Sequence, residues 1–295
     1  MSQHPSKIPV TVIVGPTAVG KTAFAIELAK IANAEIVSAD SRYFYRGMDI
    51  GTAKPTPEER QSIPHHLIDV ADPDETWSLA LFQQKAYDTI ASIHERGKNV
   101  IVVGGTGQYI RALLQGWSPP TMEADLVMRA VLEDWANEIG PMEIHKKLAI
   151  LDPIAAEKID YRNVRRTIRA LEVIFGSGQR FSEQRKVTES PYSFLILGLN
   201  RSRSSLYQRI DQRIDQMIRQ GFIEEVAGLL EKGYSPALPS MSAIGYREIS
   251  AYLNHEISLD EAIRLIKQRT RNFVRRQSNW FKTSDPQIHW FNLEG

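Results

Sequence analysis

Eight residues near the start of the chain have the types and spacing to hold a phosphate. Gly15-Pro16-Thr17-Ala18-Val19-Gly20-Lys21-Thr22 satisfies G-x-x-x-x-G-K-[ST] in full, between the apolar run Val10-Thr11-Val12-Ile13-Val14 and a segment of helical periodicity. The glycines let the backbone curl so that successive N–H groups point inward at phosphate oxygens. Lys21 adds a point charge, Thr22 offers a hydroxyl to Mg²⁺, and the helix that follows turns its positive end toward the site. Gly15 through Thr22 are therefore the expected phosphate or diphosphate loop, with Thr22 the expected metal ligand. Asp40 is the second chemical residue. It follows the short strand-like run Glu35-Ile36-Val37-Ser38, and open parallel sheets bind ligands at the carboxyl edge of their strands. A carboxylate beside the phosphate loop has three roles open to it: helix cap, Mg²⁺ ligand or general base.

Other residue types narrow the chemistry. Asn99-Val100-Ile101-Val102-Val103 reads as a central parallel strand, and it ends in Gly104-Gly105-Thr106-Gly107. An ATPase is expected to carry a magnesium-binding aspartate at such a strand end. Its absence counts against ordinary ATP hydrolysis, with Asp69 or Asp40 as the carboxylates able to substitute. His65 and His66 are neighbours in an extended segment and so point to opposite faces; they read as structural or substrate-loop residues rather than a metal pair. The chain has no cysteine, which removes disulfides, thiolate zinc sites and cysteine nucleophiles and suits a reducing cytosol.

The elements that must position these groups follow from periodicity. Lys21–Ala32 is a helix with Phe24, Leu28 and Ile31 at helical spacing, and 78–96 is another, with Leu79, Phe82, Ala86, Ile90 and Ile93 on one face. Between them Tyr43 to Pro55, with two glycines and a terminal proline, reads as an irregular functional loop. Gly116-Trp117-Ser118-Pro119-Pro120 marks a boundary. From there to about Tyr192 the pattern is helical with no convincing strand, the helices falling at 125–139, Pro141–Leu151 and 162–175. A strand returns at 194–199. A helix from Leu206 carries Ile210, Ile214, Met217 and Ile218 to Gly221, and a loop covers 236–242. A last helix from Leu259 buries Ala262, Ile263, Ile266, Phe273, Val274 and Phe281. The expected fold is α/β: a P-loop-type parallel sheet core flanked by helices, made of 1–118 and 194–295, and interrupted by an all-helical insertion at 119–193.

Net charge is only +1, but its distribution is uneven. Arg264, Lys267, Arg269, Arg271, Arg275, Arg276 and Lys282 form a basic run that no acid interrupts, expected to face outward from the last helix. Arg162, Arg165, Arg166 and Arg169 stand at i, i+3, i+4 and i+7, one face of one helix. Such stripes bind a polyanion such as RNA or else are a solvated face. The longest apolar runs fall far short of a membrane span, and the start of the chain lacks a signal peptide's apolar stretch. A cytoplasmic protein with no membrane association is expected.

Taken in order, these motifs resemble the bacterial tRNA dimethylallyltransferase family. The phosphate loop, Asp40-Ser41-Arg42, Tyr45-Arg46-Gly47-Met48-Asp49-Ile50-Gly51-Thr52-Ala53-Lys54-Pro55 and His66-Leu67-Ile68-Asp69 carry the likeness. So do Gly104-Gly105-Thr106-Gly107 with Tyr109, Arg169-Ala170-Leu171-Glu172-Val173, Gly245-Tyr246-Arg247, and Arg275-Arg276-Gln277 with Trp280. It runs from about residue 9 to 291. Tyr43 and Phe44 depart from it, where the family often has Gln and Val; the departure bears on the pocket for anticodon-loop bases, not on the chemistry.

The resemblance implies transfer of a dimethylallyl group from dimethylallyl diphosphate to N6 of the adenosine just 3′ of the anticodon in tRNAs reading codons that begin with U, with Mg²⁺ as cofactor. It implies catalytic roles for Asp40, Thr106 and Arg247. Contacts to tRNA are implied for Asp40, Ser41, Arg42, Tyr43, Thr106, Arg129, Arg162, Asn163, Val164, Arg165, Arg166, Gly245, Tyr246, Arg247, Arg275, Arg276, Gln277 and Trp280. The partners are then the anticodon stem-loop and dimethylallyl diphosphate, and the protein is expected to be a monomer. Rival readings are an adenylate isopentenyltransferase making cytokinin, a P-loop small-molecule kinase, and a non-catalytic RNA-binding GTPase-like module.

Overall fold

In the computed structural model the elements run β1 (Ile8–Val14), α1 (Lys21–Ala32), β2 (Ala34–Ser38), α2 (Pro57–Ser62), β3 (His65–His66), α3 (Leu79–Glu95), β4 (Asn99–Val103), α4 (Gly107–Gln115) and β5 (Trp117–Ser118). They continue with α5 (Leu126–Ile139), α6 (Pro141–Leu151), α7 (Pro153–Lys158), α8 (Val164–Ser177), β6 (Lys186–Val187), β7 (Tyr192–Asn200), α9 (Arg203–Arg219), α10 (Phe222–Glu231), α11 (Tyr246–Leu253), α12 (Leu259–Gln277) and β8 (Ile288–Asn292). The structure describes residues 7–118, 120, 125–184, 186–187 and 190–294. Met1 to Ser6, read above as lacking a signal stretch, and Pro119 and Thr121 at the expected boundary lie outside them. The chain divides into two units, Met1–Leu114 with Ser190–Gly295, and Gln115–Glu189.

The first unit is built on one six-stranded sheet of order β3-β2-β4-β1-β7-β8, every pair parallel. β1 is central because it is apolar on both faces: Val12, Ile13 and Val14 are fully buried. The registers Ile13↔Val103 and Ser38↔Val103 bring β1, β2 and β4 to an end along one edge. The phosphate loop, Asp40 and Thr106 all follow from that edge. Gly104 is required there, since a Cβ on it would sit 2.3 Å from the Ala39 carbonyl oxygen.

Several expectations are corrected. α1 buries Ala25, Ile26 and Ala29; Phe24 and Leu28 pack only at the margin, and Ile31 is 85% exposed, so the apolar face lies about one residue away from the one expected. α10 and the sheet strand β8 were not anticipated. α12 ends at Gln277, so Phe281 is buried from the turn beyond it. The basic run is also less free than its sequence: Arg264 pairs with Glu261, Lys267 with Asp215, Arg269 with Glu248 and Arg271 with Asp211.

The second unit is helical, with its own core of Leu132, Ala136, Ile144, Leu148, Ile168 and Leu171 among others. Asp125 caps α5, accepting from Val127 N and Met128 N at 3.0 Å, and Asn163 caps α8, accepting from Arg166 N. α8 therefore starts two residues later than expected and leaves Arg162 outside it. A two-residue antiparallel ribbon, Trp117↔Val187 and Ser118↔Lys186, corrects the expectation of no strand in this stretch.

Candidate active site

The phosphate loop is held by its carbonyls. Lys21 Nζ folds back and donates to Gly15 O at 3.0 Å and Pro16 O at 2.9 Å. Arg209 Nε donates to Ala18 O at 2.8 Å and Arg201 Nε to Val19 O at 3.0 Å. Gly15 has φ +147°, and a Cβ there would approach the Leu199 carbonyl oxygen to 2.6 Å. Gly20, the N-cap of α1, has φ +113° and no side chain to cap the helix, which leaves the first-turn amides open to an anion. Burial pushes the Lys21 ammonium down to about 8; the Asp40 carboxylate opposes that fall and the Arg213 charge adds to it.

Two cavities adjoin this loop. One, of about 520 Å³, is lined by Lys21, Thr22, Asp40, Tyr43, Thr52, Lys54, Arg209 and Arg213 among others. The other, of about 440 Å³, is lined by Asp40, Ser41, Arg42, Thr106, Arg213, Phe222, Phe273, Arg276 and Trp280, with Ile210, Ile214, Met217 and Ile266 behind them. Thr17, Asp40, Thr52 and Arg213 line both. Asp40 Oδ1 accepts from Arg42 N at 3.0 Å, which fixes the carboxylate just past β2. Thr106 Oγ1 accepts from Ser41 N at 3.2 Å, tying the Asp40 turn to the end of β4. Asp40 thus lies between the cavity beside the loop at 15–22 and a partly aromatic chamber.

The loop from Tyr43 to Pro55 is irregular, and buried charge holds it. Glu225, on the first turn of α10, accepts from Asp49 N at 2.9 Å, Ile50 N at 2.7 Å and Gly51 N at 3.2 Å, and from the Tyr246 hydroxyl at 2.5 Å. Lys54 Nζ, buried, donates to Tyr45 O at 2.5 Å and to Asp49 and Asp69 at 2.6 Å each, and Asp69 also takes Arg60 at 2.6 Å. Burial raises the Asp69 carboxyl, but the bonds from Lys54 and Arg60 outweigh it and hold it below the usual range. Asp69 is thus spent on the loop and is not a substitute metal ligand. The histidines are structural: His66 Nε2 lies 2.7 Å from Glu35, and His65 Nδ1 lies 2.7 Å from Ile63 O. Among the described residues no group of three or more acidic or imidazole side chains is arranged to hold a metal by itself.

The structure separates the expected site residues. Asp40, Ser41, Arg42, Tyr43, Thr106, Arg276 and Trp280 line one or both cavities. Tyr246 does not face ligand, being fully buried against Phe222 and Glu225. Gly245 supports the same packing with φ +102° and Phe222 within 2.8 Å of where a Cβ would stand. Arg247 lines neither cavity; its exposed side chain lies 3.4 Å from Glu248. Arg42 lines the chamber while its guanidinium donates to Pro239 O at 3.0 Å and Ser240 O at 3.2 Å. Gln277 is mostly buried, hydrogen-bonded to Thr17 N and Gly105 O, and also lines the chamber.

In the second unit Arg129, at 2.7 Å, and Arg169, at 3.1 Å, neutralise the fully buried Glu172. Arg162 is taken by Asp160, Asn163 serves as a cap and Val164 packs on the core. The four-arginine stripe reduces to Arg165 and Arg166, both exposed and without an ion pair among the described residues. Arg209 and Arg213 were missed by the sequence reading. They stand at i and i+4 on α9, each one residue before a buried isoleucine (Ile210, Ile214), where a solvated face is the ordinary reading. Glu225 was missed because nothing local marks it.

Residues 43–284 match the family model described as IPP transferase. A tRNA dimethylallyltransferase of Thermomicrobium roseum is 50% identical over 285 residues, spanning 97% of this chain and 86% of its own length. One from Roseiflexus sp. is 52% identical over 275 residues, spanning 93% and 90%. Among solved structures, the full-length tRNA isopentenylpyrophosphate transferase of Bacillus halodurans has a TM-score of 0.71 at 43% identity, covering 97% of this chain and 90% of that one. A eukaryotic dimethylallyltransferase acting on tRNA has a TM-score of 0.82 at 30% identity, with coverages of 97% and 74%.

Proposed function

Because the chain belongs to the tRNA dimethylallyltransferase family, we propose that its cleft carries a dimethylallyl group from dimethylallyl diphosphate to N6 of the adenosine just 3′ of the anticodon, in tRNAs reading codons that begin with U. The observation that carries this reading is the position of Asp40, which lines both the cavity of the phosphate loop and the partly aromatic chamber. Diphosphate belongs with Lys21, Thr22 and Arg213, and the adenine with Thr106, Phe273 and Trp280. The reacting carbon then lies between them.

As the C1–O bond breaks, negative charge grows on the departing diphosphate. Lys21, Arg213 and the loop amides neutralise it; one such donor is worth about 3 kcal/mol. N6 attacks C1 with its lone pair, and the new N–C bond forms as the old C–O bond goes. The N6 lone pair is delocalised into the purine, so a carboxylate accepting an N6–H bond raises its nucleophilicity. Asp40 then takes the proton that alkylation makes acidic. Thr106 holds the Asp40 turn in place through Ser41.

The donor set suits Mg²⁺. The Thr22 hydroxyl and two carboxylates, Asp40 and Glu59, line the cavity of the phosphate loop, Glu59 being engaged by Thr56 N at 2.8 Å, and Mg²⁺ keeps most of its shell as water and substrate phosphate. Thr22 would hold the ion, which when bound supplies further charge to the departing diphosphate.

A stacked adenosine cannot enter such a chamber, so the base flips out of the anticodon loop at a cost of a few kcal/mol. Contacts from Arg165, Arg166, Arg275 and Arg276 to the phosphates offset it. The protein acts as a cytoplasmic monomer, and among its described residues no helix is long and apolar enough to cross a membrane.

A transfer assay with labelled dimethylallyl diphosphate and Mg²⁺ tests the assignment. Unmodified tRNA should be labelled, and tRNA with guanosine at the target, or free AMP, should not. Asp40→Asn in folded protein should lower the rate by about 10² to 10⁴. Label in AMP would point to cytokinin synthesis instead, and ATP turnover without label to a kinase.

A further inference from the structure

One buried side chain joins the phosphate loop to the helix that faces the acceptor chamber. Gln277, the last residue of α12, is 5% exposed. Its Oε1 accepts from Thr17 N at 2.8 Å and its Nε2 donates to Gly105 O at 3.0 Å. A carboxamide accepts at one end and donates at the other and, unlike an imidazole, gains no charge over the accessible pH range beside an anion. One of the phosphate loop's own amides is therefore turned onto α12.

The same turn of α12 carries Arg276 and leads to Trp280, both lining the acceptor chamber, and Trp280 N closes that turn by donating to Gln277 O at 3.0 Å. Gln277 and Trp280 lean together on the Gly104-Gly105-Thr106-Gly107 segment. A Cβ on Gly105 would lie 2.5 Å from Gln277 Nε2, and one on Gly107 would lie 2.2 Å from Trp280 Cγ. That accounts for glycine at positions 105 and 107 after β4. The space a side chain on Gly105 would fill is taken by Gln277, and Lys21 Nζ is 3.6 Å from the same point.

We infer that Gln277 is a positioning residue that couples the two substrates: an adenine seated against Arg276 and Trp280 fixes the end of α12, and Gln277 passes that restraint to Thr17 and so to the diphosphate. This rests on the proposed function, since it presumes a diphosphate on the loop and a base in the chamber.

The test measures binding of dimethylallyl S-thiolodiphosphate, a slowly reacting donor analogue, to the whole protein with and without an anticodon stem-loop RNA. In the unaltered protein the RNA should tighten donor binding at least 5-fold, within the usual span of coupling between sites. In Gln277→Met, which keeps the volume and loses both hydrogen bonds, the ratio should fall to about 1. Gln277→Glu can still accept from Thr17 but cannot donate to Gly105 O, and its charge faces the diphosphate; it should bind donor less tightly than Gln277→Met. A merely structural role would lower thermal stability, or both affinities together, and leave the ratio intact, which overturns the inference, as does a ratio of 1 in the unaltered protein. If the unaltered protein transfers no label to tRNA, the proposed function fails instead.

Discussion

Lys21 sets a pH dependence that can be read from its surroundings. Its ammonium is held by two loop carbonyls, and burial lowers it from an ordinary 10.5 to about 8. In the free protein it therefore gives up its proton from about pH 8 upward, while the unfolded chain keeps it to about 10.5. Between those values the unfolded state binds more protons, so this group's contribution to stability rises with pH; below 8 the cost of burying the charge is fully present. Donor binding runs the other way. A diphosphate favours the ammonium, so above pH 8 binding takes up a proton and affinity should fall by up to about tenfold per unit. Calorimetry of the donor analogue from pH 7 to 9.5, in buffers of different ionisation enthalpy, should show proton uptake growing above pH 8. Lys21→Met should bind more weakly and without that slope. The phosphate loop and Asp40 were legible in the sequence because both depend on local order: a loop between strand and helix, and a carboxylate at a strand end. Tyr246, expected to meet tRNA, is instead fully buried against Phe222, because a motif reports that a residue matters, not which way it faces.

The elements that steer the site were harder to see. α10 follows α9 across only Gln220 and Gly221, the latter with φ +98°, so a glycine that stops one helix hid the start of another. β8 is an edge strand with a single buried residue, Ile288, and lacks the apolar run that identified β1 and β4. Yet α10 supplies Glu225, which gathers three consecutive amides of the loop that brings Thr52 to both cavities. Hydrogen bonds to a charged acceptor contribute about 1.5–3 kcal/mol each when single, and less when they share one carboxylate. Glu225→Ala should cost about 3 kcal/mol in chemical denaturation, and in the protein that remains folded it should raise the donor KM more than it lowers kcat. Unchanged donor KM at reduced stability would make the clamp a fold device without bearing on the site.

Over the whole molecule the near-zero net charge conceals how the cations are spent. Of the seven basic residues from Arg264 to Lys282, four are in ion pairs, and Arg275 also donates to the Tyr207 hydroxyl at 3.0 Å. Of the four arginines about α8, two are likewise committed to acids. What remains for RNA is Arg165 and Arg166 on the helical unit, and Arg275, Arg276 and Lys282 at and beyond the end of α12. Each unit has its own core, so arginines can be removed from the helical unit without disturbing the loop proposed to bind the diphosphate. Each phosphate neutralised steepens the logarithmic dependence of affinity on salt by about 0.7 to 0.9. Arg165→Ala with Arg166→Ala should therefore weaken tRNA binding and flatten that dependence by about 1.5, while donor-analogue affinity measured without RNA stays as it was. Arg129→Ala, which strips a partner from the buried Glu172, should instead lower the melting temperature. If the Arg165 and Arg166 double variant lost tRNA and donor affinity in parallel, the helical unit would be a support for the sheet and not a clamp on RNA.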